Sequence, residues 1–421
     1  MEKKEDSLVN SSFYGWFVWG LASFFYLYQF VLRASPNVMS QDLMRAFSIQ
    51  ASSLGILSSC YYYAYAFLQI PIGLLLDRVG PQKVLRVATL VCAVGTLLLA
   101  TAPSFLWACA GRVLVGAGAA GAFLSTISLI SLWLKPQYFA FAIGATIALG
   151  KMGGVVSNGP LVWLIQAQNW RTALVVLFFV GVGISALVWL FLQHKDCPKK
   201  LEQETVSSSI RTITHTPQMW LIAVYGCLMY VPLSVFTDTW GTLFLMKKYT
   251  LSKSIASGAL SLVFVGTAIG APLVAFVSDK FKERRGTLLL SALSSLITAV
   301  LLVFWPQTET YTAFILCFLF GITMTGQTLV FTCASERMPA KISGLATGFT
   351  NTVVMLGGVF LQPLAGFILD FLWDGEVRGG VPFYSLENFQ LSLAVIPISV
   401  LISLVLALCI KETFKDRSSS F

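Results

Sequence analysis

Charge is scarce in this chain. Only 11% of its 421 residues are Asp, Glu, Lys or Arg, where a soluble globular domain carries about 25%. Histidine occurs twice, as His194 and His215. Neither has a nucleophile–base partner in sight, so an enzyme reading has no support. No P-loop or other nucleotide-binding motif is present, which removes ATP as a direct energy source. The eight cysteines form no CxxC pair and no zinc spacing. Most sit inside apolar runs (Cys60, Cys92, Cys109, Cys227, Cys317 and Cys409) and read as packing residues, so no metal or other cofactor is expected. The net charge of +9 is spread over short loops, so it is no signal for nucleic acid.

In place of charge there is apolar length. Hydrophobic residues make up 56% of the chain, and the mean hydropathy is +0.78. Runs of about 20 or more apolar residues recur, each long enough to cross about 30 Å of hydrocarbon. In lipid the backbone must satisfy its own hydrogen bonds, so these runs are helices. Twelve spans are expected, at 14–38, 52–76, 84–102, 104–133, 138–166, 171–194, 218–246, 254–278, 286–306, 310–334, 343–372 and 386–410. Of the 28 Lys and Arg, 19 fall on the side of both termini, six on the other side, and three (Arg33, Arg112 and Lys151) inside spans. The positive-inside rule puts both termini in the cytoplasm. The first run is too long for a signal peptide and follows an acidic, polar start, so no cleavage is expected.

The polar stretch 195–217 divides the chain into an N-terminal bundle at 14–194 and a C-terminal bundle at 218–410, with cytoplasmic tails at 1–13 and 411–421. The halves repeat one another. Gly144 … Gly153-Gly154-Val155 maps onto Gly348 … Gly357-Gly358-Val359 at a shift of 204 residues, and Asp77 onto Asp279 at a shift of 202. Both copies run in the same sense, a parallel repeat that places a binding site near the midplane between the halves.

The sharpest local pattern is Gly73-Leu-Leu-Leu-Asp77-Arg78-Val-Gly80-Pro-Gln-Lys83, between the second and third spans. A degraded copy, Ala275-Phe-Val-Ser-Asp279-Lys280-Phe-Lys-Glu-Arg284, follows the eighth. This pattern resembles the signature loop of the major facilitator superfamily of secondary transporters. The resemblance implies an all-α membrane fold of two six-helix halves working by alternating access, with these loops gating the cytoplasmic side. Arg112-Val-Leu-Val-Gly116-Ala-Gly118 is similar to that family's Arg-x-x-x-Gly-x-Gly element, and its small residues allow a close helix neighbour. Arg112 either snorkels, braces a neighbouring helix or, as in some members, takes part in proton coupling.

Candidate binding residues are the polar groups that sit too deep for comfort. Arg33 lies deep in the first span, flanked by Gln29 and Asn37 one turn either side, and costs several kcal/mol there unless it faces a cavity or partner. Its surroundings, Tyr26-Leu-Tyr28-Gln29-Phe-Val-Leu-Arg33, resemble the organophosphate and organic-anion branches of the superfamily, in which this Arg grips the anionic group. The bland alternative is an outer-interface Arg paired with Asp42. Lys151 is mid-span, with Asn158 two turns on. It either lines the cavity, where it attracts an anion or carries a proton, or snorkels. Tyr65 and Gln69, one turn apart, offer hydrogen bonds or merely pack. The organophosphate antiporters carry Lys where Gln69 stands and an Arg in the seventh span that is missing here, which argues for a carboxylate over a phosphate ester. Asp238 is the one clearly intramembrane acid. It receives a substrate ammonium, carries a proton or forms a gate ion pair, unless it is already solvated at the interface.

The expected function is proton-coupled uptake of a small carboxylate-bearing solute, leaning to an amino acid or similar zwitterion held by Arg33, Lys151 and Asp238. The first two spans also look like those of the intraphagosomal amino-acid transporters of proteobacteria. Alternatives are a transporter of a purely anionic organic acid, a drug or metabolite exporter, whose span-five motif Gly153-Gly154 … Gly159-Pro160 matches only in part, and a receptor built on the same fold. A monomer in the bacterial inner membrane is expected, with no partner beyond substrate, protons and lipid.

Overall fold

The structure is a computed structural model that describes residues 12–192, 203–306 and 309–414. Among the described residues, twelve helices are long and apolar enough to span a membrane. The first half holds Phe13–Phe47, Ala51–Leu76, Pro81–Ala100, Phe105–Trp133, Pro136–Ala167 and Trp170–Phe191. The second holds Pro217–Tyr249, Lys253–Phe281, Arg285–Phe304, Thr310–Arg337, Ser343–Phe371 and Leu386–Cys409. The tails at 1–11 and 415–421 and the stretch 193–202, His194 included, lie outside the described residues. Inside the expected polar link, Gln203–Thr214 forms a further helix.

Local chemistry sets the breaks. Gly80 takes φ +84° and ends the second helix where Pro81 begins the third, a conformation that favours glycine over any residue with a Cβ. Asn169 and Ser385 cap the sixth and twelfth spans, accepting from Thr172 N at 2.8 Å and Asn388 N at 3.1 Å. One expected boundary needs correction. The first helix continues through Pro36 to Phe47 instead of ending near 38. Hydropathy marks where the hydrocarbon ends, and the polar turns 40–45 carry the helix on beyond it.

Packing repeats between the halves. The first span packs on the fifth, the second on the fourth and the third on the sixth. The seventh packs on the eleventh, the eighth on the tenth and the ninth on the twelfth. The halves meet where the second span lies along the eleventh, the fifth along the eighth and the first against the seventh. Small residues permit the closest crossings. A Cβ on Gly118 would sit 2.5 Å from Ala88 O and 2.7 Å from Cys92 N, and one on Gly116 would collide with Tyr61 O.

The face opposite the termini is closed by bonds from one half to the other. Lys253 pairs with Asp42 at 3.0 Å, in place of the Arg33–Asp42 pair weighed from sequence. Arg45 Nε donates to Gly379 O at 3.0 Å, on a small hairpin of β1 (Val377–Arg378) and β2 (Val381–Pro382). The second helix has no capping side chain of its own at Gln50. Its cap comes from the other half. The Asp370 carboxylate accepts from Ala51 N at 3.0 Å, from Ser52 N at 2.8 Å and from Tyr384 Oη at 2.5 Å. No local spacing in the chain points to this cap, because the amides that Asp370 serves lie some 320 residues away.

Two outcomes test this packing. Asp370→Ala leaves the Ser52 amide at the helix end without its acceptor, at about 1–3 kcal/mol, while Ala51 N keeps the Tyr384 hydroxyl at 3.1 Å. Hydrogen exchange at the Ser52 amide should then accelerate roughly tenfold or more, while the exposed acid substitution Asp374→Ala leaves it unchanged. Gly116→Val should abolish the yield of monodisperse protein, whereas Gly20→Ala, at a position with nothing within 4 Å, should be silent.

Candidate functional site

The site is built around one ion pair at the junction of the halves. Arg33 is 5% exposed and Asp238 2% exposed, so neither is an interface charge in contact with water. Arg33 Nε donates to Asp238 Oδ2 at 2.9 Å, and the Tyr62 hydroxyl donates to the same oxygen. Tyr230 Oη lies 3.5 Å from Tyr62 Oη. Aromatic rings enclose the guanidinium: its Cζ is 4.5 Å from the Phe30 centroid, 5.5 Å from Tyr230 and 5.7 Å from Tyr62. Two polar atoms of the pair, Arg33 Nη2 and Asp238 Oδ1, are buried without a hydrogen-bond partner. Buried polar atoms are usually satisfied, so this pair keeps binding capacity in reserve.

A local distortion aims Asp238 at this spot. From Pro232 to Trp240 the seventh span is wound as a π-helix, and every residue of the segment is buried. Pro232 has no N–H for the α ladder, and wide turns of this kind recur at functional sites. On the opposite side, Arg112 fixes the first span. Its Nη1 donates to Leu32 O at 2.8 Å, and its Nη2 reaches Arg33 O and Ser58 O at 3.4 Å each. It braces the first and second spans and does not snorkel.

The other expected site residues divide into two groups. Lys151 reaches the cluster, its Nζ 5.6 Å from the centre of the Phe30 ring, and it is half-buried. Tyr65 is buried, its hydroxyl facing the side chains of Gln69 and Asn351, and Gln69 Nε2 has no partner. Gln29 and Asn158 are different. Gln29 Oε1 accepts from Tyr61 Oη at 2.7 Å. Asn158 Oδ1 accepts from Asn37 Nδ2 at 3.1 Å while its own Nδ2 donates to Gly154 O at 2.9 Å. Asn37 goes on to Thr242 Oγ1 at 2.7 Å. Both therefore serve the packing between helices, a use that helical spacing from Arg33 or Lys151 cannot distinguish from ligand binding. The residues missed from sequence are Phe30, Tyr62, Tyr230 and Asn351. The tyrosine run 61–63 offered a signal for Tyr62, but the π-turn hides the shared face of Tyr230 and Asp238.

The loop motifs lie at the end that carries the termini. Gly73 has open space around it, Arg78 and Lys83 are exposed, and the side chain of Asp77 lies outside the described residues. In the second copy, Arg284 pairs with Asp279 at 2.6 Å and with Glu336 at 2.8 Å, while Lys280 is exposed. Burial works against the Arg284 charge, but the two carboxylates hold it protonated above its ordinary value. Glu336 is the strut of this cluster. Glu412 accepts from the backbone N–H of Arg284 and Arg285. Burial would raise its carboxyl, and these amides outweigh it and hold it below the usual range.

Comparison with known proteins agrees with this architecture. A "Probable sulfoacetate transporter SauU" from Cupriavidus necator is 25% identical over 83% of this chain and 86% of its own length. A D-galactonate transporter from Escherichia coli O6:H1 is 22% identical over 80% and 85%. A solved bacterial homolog of the human lysosomal transporter Spinster, titled as inward-facing and unoccupied, superposes with a TM-score of 0.77 at 18% identity, covering 96% of this chain and 98% of its own. The sequence profile of the Major Facilitator Superfamily matches residues 13–362. With that match over most of its length, and with twelve helices long enough to span a membrane in two halves, the chain belongs to the Major Facilitator Superfamily of secondary transporters.

Proposed function

We propose that this transporter carries a small organic anion into the cell, coupled to a proton that exchanges on Asp238. The observation that carries the reading is the Arg33–Asp238 pair, buried where the halves meet. Arg112 satisfies its buried guanidinium on backbone carbonyls, whereas Arg33 is held by a carboxylate. Asp238 supplies it at rest. When Asp238 takes a proton, Arg33 loses its counter-charge and its planar fork becomes available to a carboxylate or sulfonate. Tyr62 then accepts from or donates to the neutral carboxyl without cost in charge. Binding of anion and proton are thereby linked through one side chain, and neither leaves an unpaired charge between the halves. Lys151 remains the second candidate for carrying the proton.

Two observations favour an organic acid over the amino acid expected from sequence. Asp238 Oδ2 is already held by both Arg33 and Tyr62, which leaves only Oδ1 to a substrate ammonium. The relatives are named for sulfoacetate and D-galactonate, both acids without an ammonium. The loop distribution of Lys and Arg supports cytoplasmic termini. The closed face then looks outward, and a bacterial inner membrane fits the direction of uptake. The Gly73–Lys83 and Ala275–Arg284 loops act as the inner gates on this reading.

Uptake into proteoliposomes tests it. Labelled sulfoacetate, D-galactonate and an amino-acid pool are offered with and without an inward proton gradient. Stimulated uptake of one of the acids, rising as external pH falls, is the expected result, and amino-acid uptake alone contradicts it. Arg33→Gln should reduce acid uptake at least tenfold, the scale of an unpaired buried charge. Asp238→Asn should retain exchange of acid across the membrane but lose stimulation by the gradient. Stimulation that persists in Asp238→Asn transfers the proton to another group.

A further inference from the structure

The charges inside the bundle do not balance. Among the described residues, Arg33, Lys151 and Arg112 are cations deep in the bundle and Asp238 is the acid that faces them. Lys248, near the end of its span, donates to the carbonyls of Leu302 and Val303. Arg112 spends its guanidinium on the carbonyls of Leu32, Arg33 and Ser58. Arg33 has Asp238. Lys151 makes no ion pair and no hydrogen bond among the described residues. It is nevertheless within electrostatic reach of both Arg33 and Asp238. A mid-span ammonium without a counter-ion is costly and marks a ligand or ion pathway.

Arg33 and Lys151 also share a platform. Both lie over the Phe30 ring, Arg33 Cζ at 4.5 Å and Lys151 Nζ at 5.6 Å from its centre. The two cations are therefore no further apart than those distances together. The Phe30 ring is an apolar surface common to both cations, and the Tyr62 and Tyr230 rings also face Arg33. A short carbon chain would rest on the ring, and a charged group at each end would meet a cation.

From this geometry we infer that the substrate is a short two-headed anion, one head held by Arg33 and the other by Lys151. The inference rests on the organic-anion reading above and makes it narrower. A monoanion satisfies Arg33 once Asp238 is protonated and leaves Lys151 bare. A dianion satisfies both, and its second charge is compensated by a group that has no other partner. Lys151 is thus a specificity residue, selecting for the number of charges and for the distance between them.

Matched pairs of probes test this. Binding to the purified full-length protein is measured by calorimetry for methanesulfonate against sulfoacetate, propionate against succinate, and D-galactonate against galactarate. In at least one pair the dianion should bind ~tenfold or more tightly. Lys151→Gln should bring that ratio close to one, and Lys151→Arg should restore it. Equal affinity within every pair in the wild-type protein overturns the inference and leaves the organic-anion reading standing, as does a ratio that survives in Lys151→Gln. The wild-type comparison stands even where a variant fails to fold. No binding of any probe overturns both.

Discussion

The Arg33 guanidinium is buried between two helical bundles with a carboxylate beside it, and the rest of this structure is arranged around that pair. Arg33 and Asp238 come from different halves. Their bond is therefore part of the contact between the halves, and whatever breaks or replaces it also acts on that contact. Removing one member of such a pair leaves a bare charge in a low-dielectric interior, a penalty of several kcal/mol. Replacing the carboxylate by a substrate anion avoids that penalty. The pair is the point at which chemistry and conformation meet.

The surrounding elements keep the pair in place. Arg112 pins the backbone at Leu32 and Arg33, so the first span cannot turn the guanidinium away from the junction. The π-helix from Pro232 to Trp240 sets the angle of Asp238. Further out, the Asn37–Asn158–Thr242 contacts, the Lys253–Asp42 pair and the cap that Asp370 lends to the second helix hold the face opposite the termini shut. These are bonds between groups that water can also satisfy, so opening that face costs little per bond. A transporter requires such balance, since two states of similar free energy are needed for alternation. The aliphatic and glycine contacts within each half, such as Gly116 and Gly118 against the second and third spans, have no such substitute and keep each half a body of its own.

Much of this was legible in the chain. Apolar length gave the spans, and Arg33, Lys151 and Asp238 stood out because charge in hydrocarbon is expensive. The 204-residue repeat even placed Arg33 and Asp238 at matching depth. What could not be read was the pairing itself. Depth does not give rotation, and the rotation of Asp238 depends on a π-turn with no period in the sequence. For Gln29 and Asn158, helical spacing left open what the side chains contact. They lie near Arg33 and Lys151 by helical spacing, yet their polar atoms are taken by Tyr61, Asn37 and the Gly154 carbonyl. Asp370 was passed over because a cap supplied across 319 residues leaves no local signature.

The central claim is that Arg33 changes partner, from Asp238 to the substrate anion, when Asp238 takes a proton. Proton uptake on binding measures this directly. The purified protein in weakly buffered detergent at neutral pH is titrated with sulfoacetate and D-galactonate while a pH indicator is followed. The account predicts uptake of about one proton per anion bound, abolished in Asp238→Asn. Anion binding with no proton uptake in the wild-type protein would contradict it.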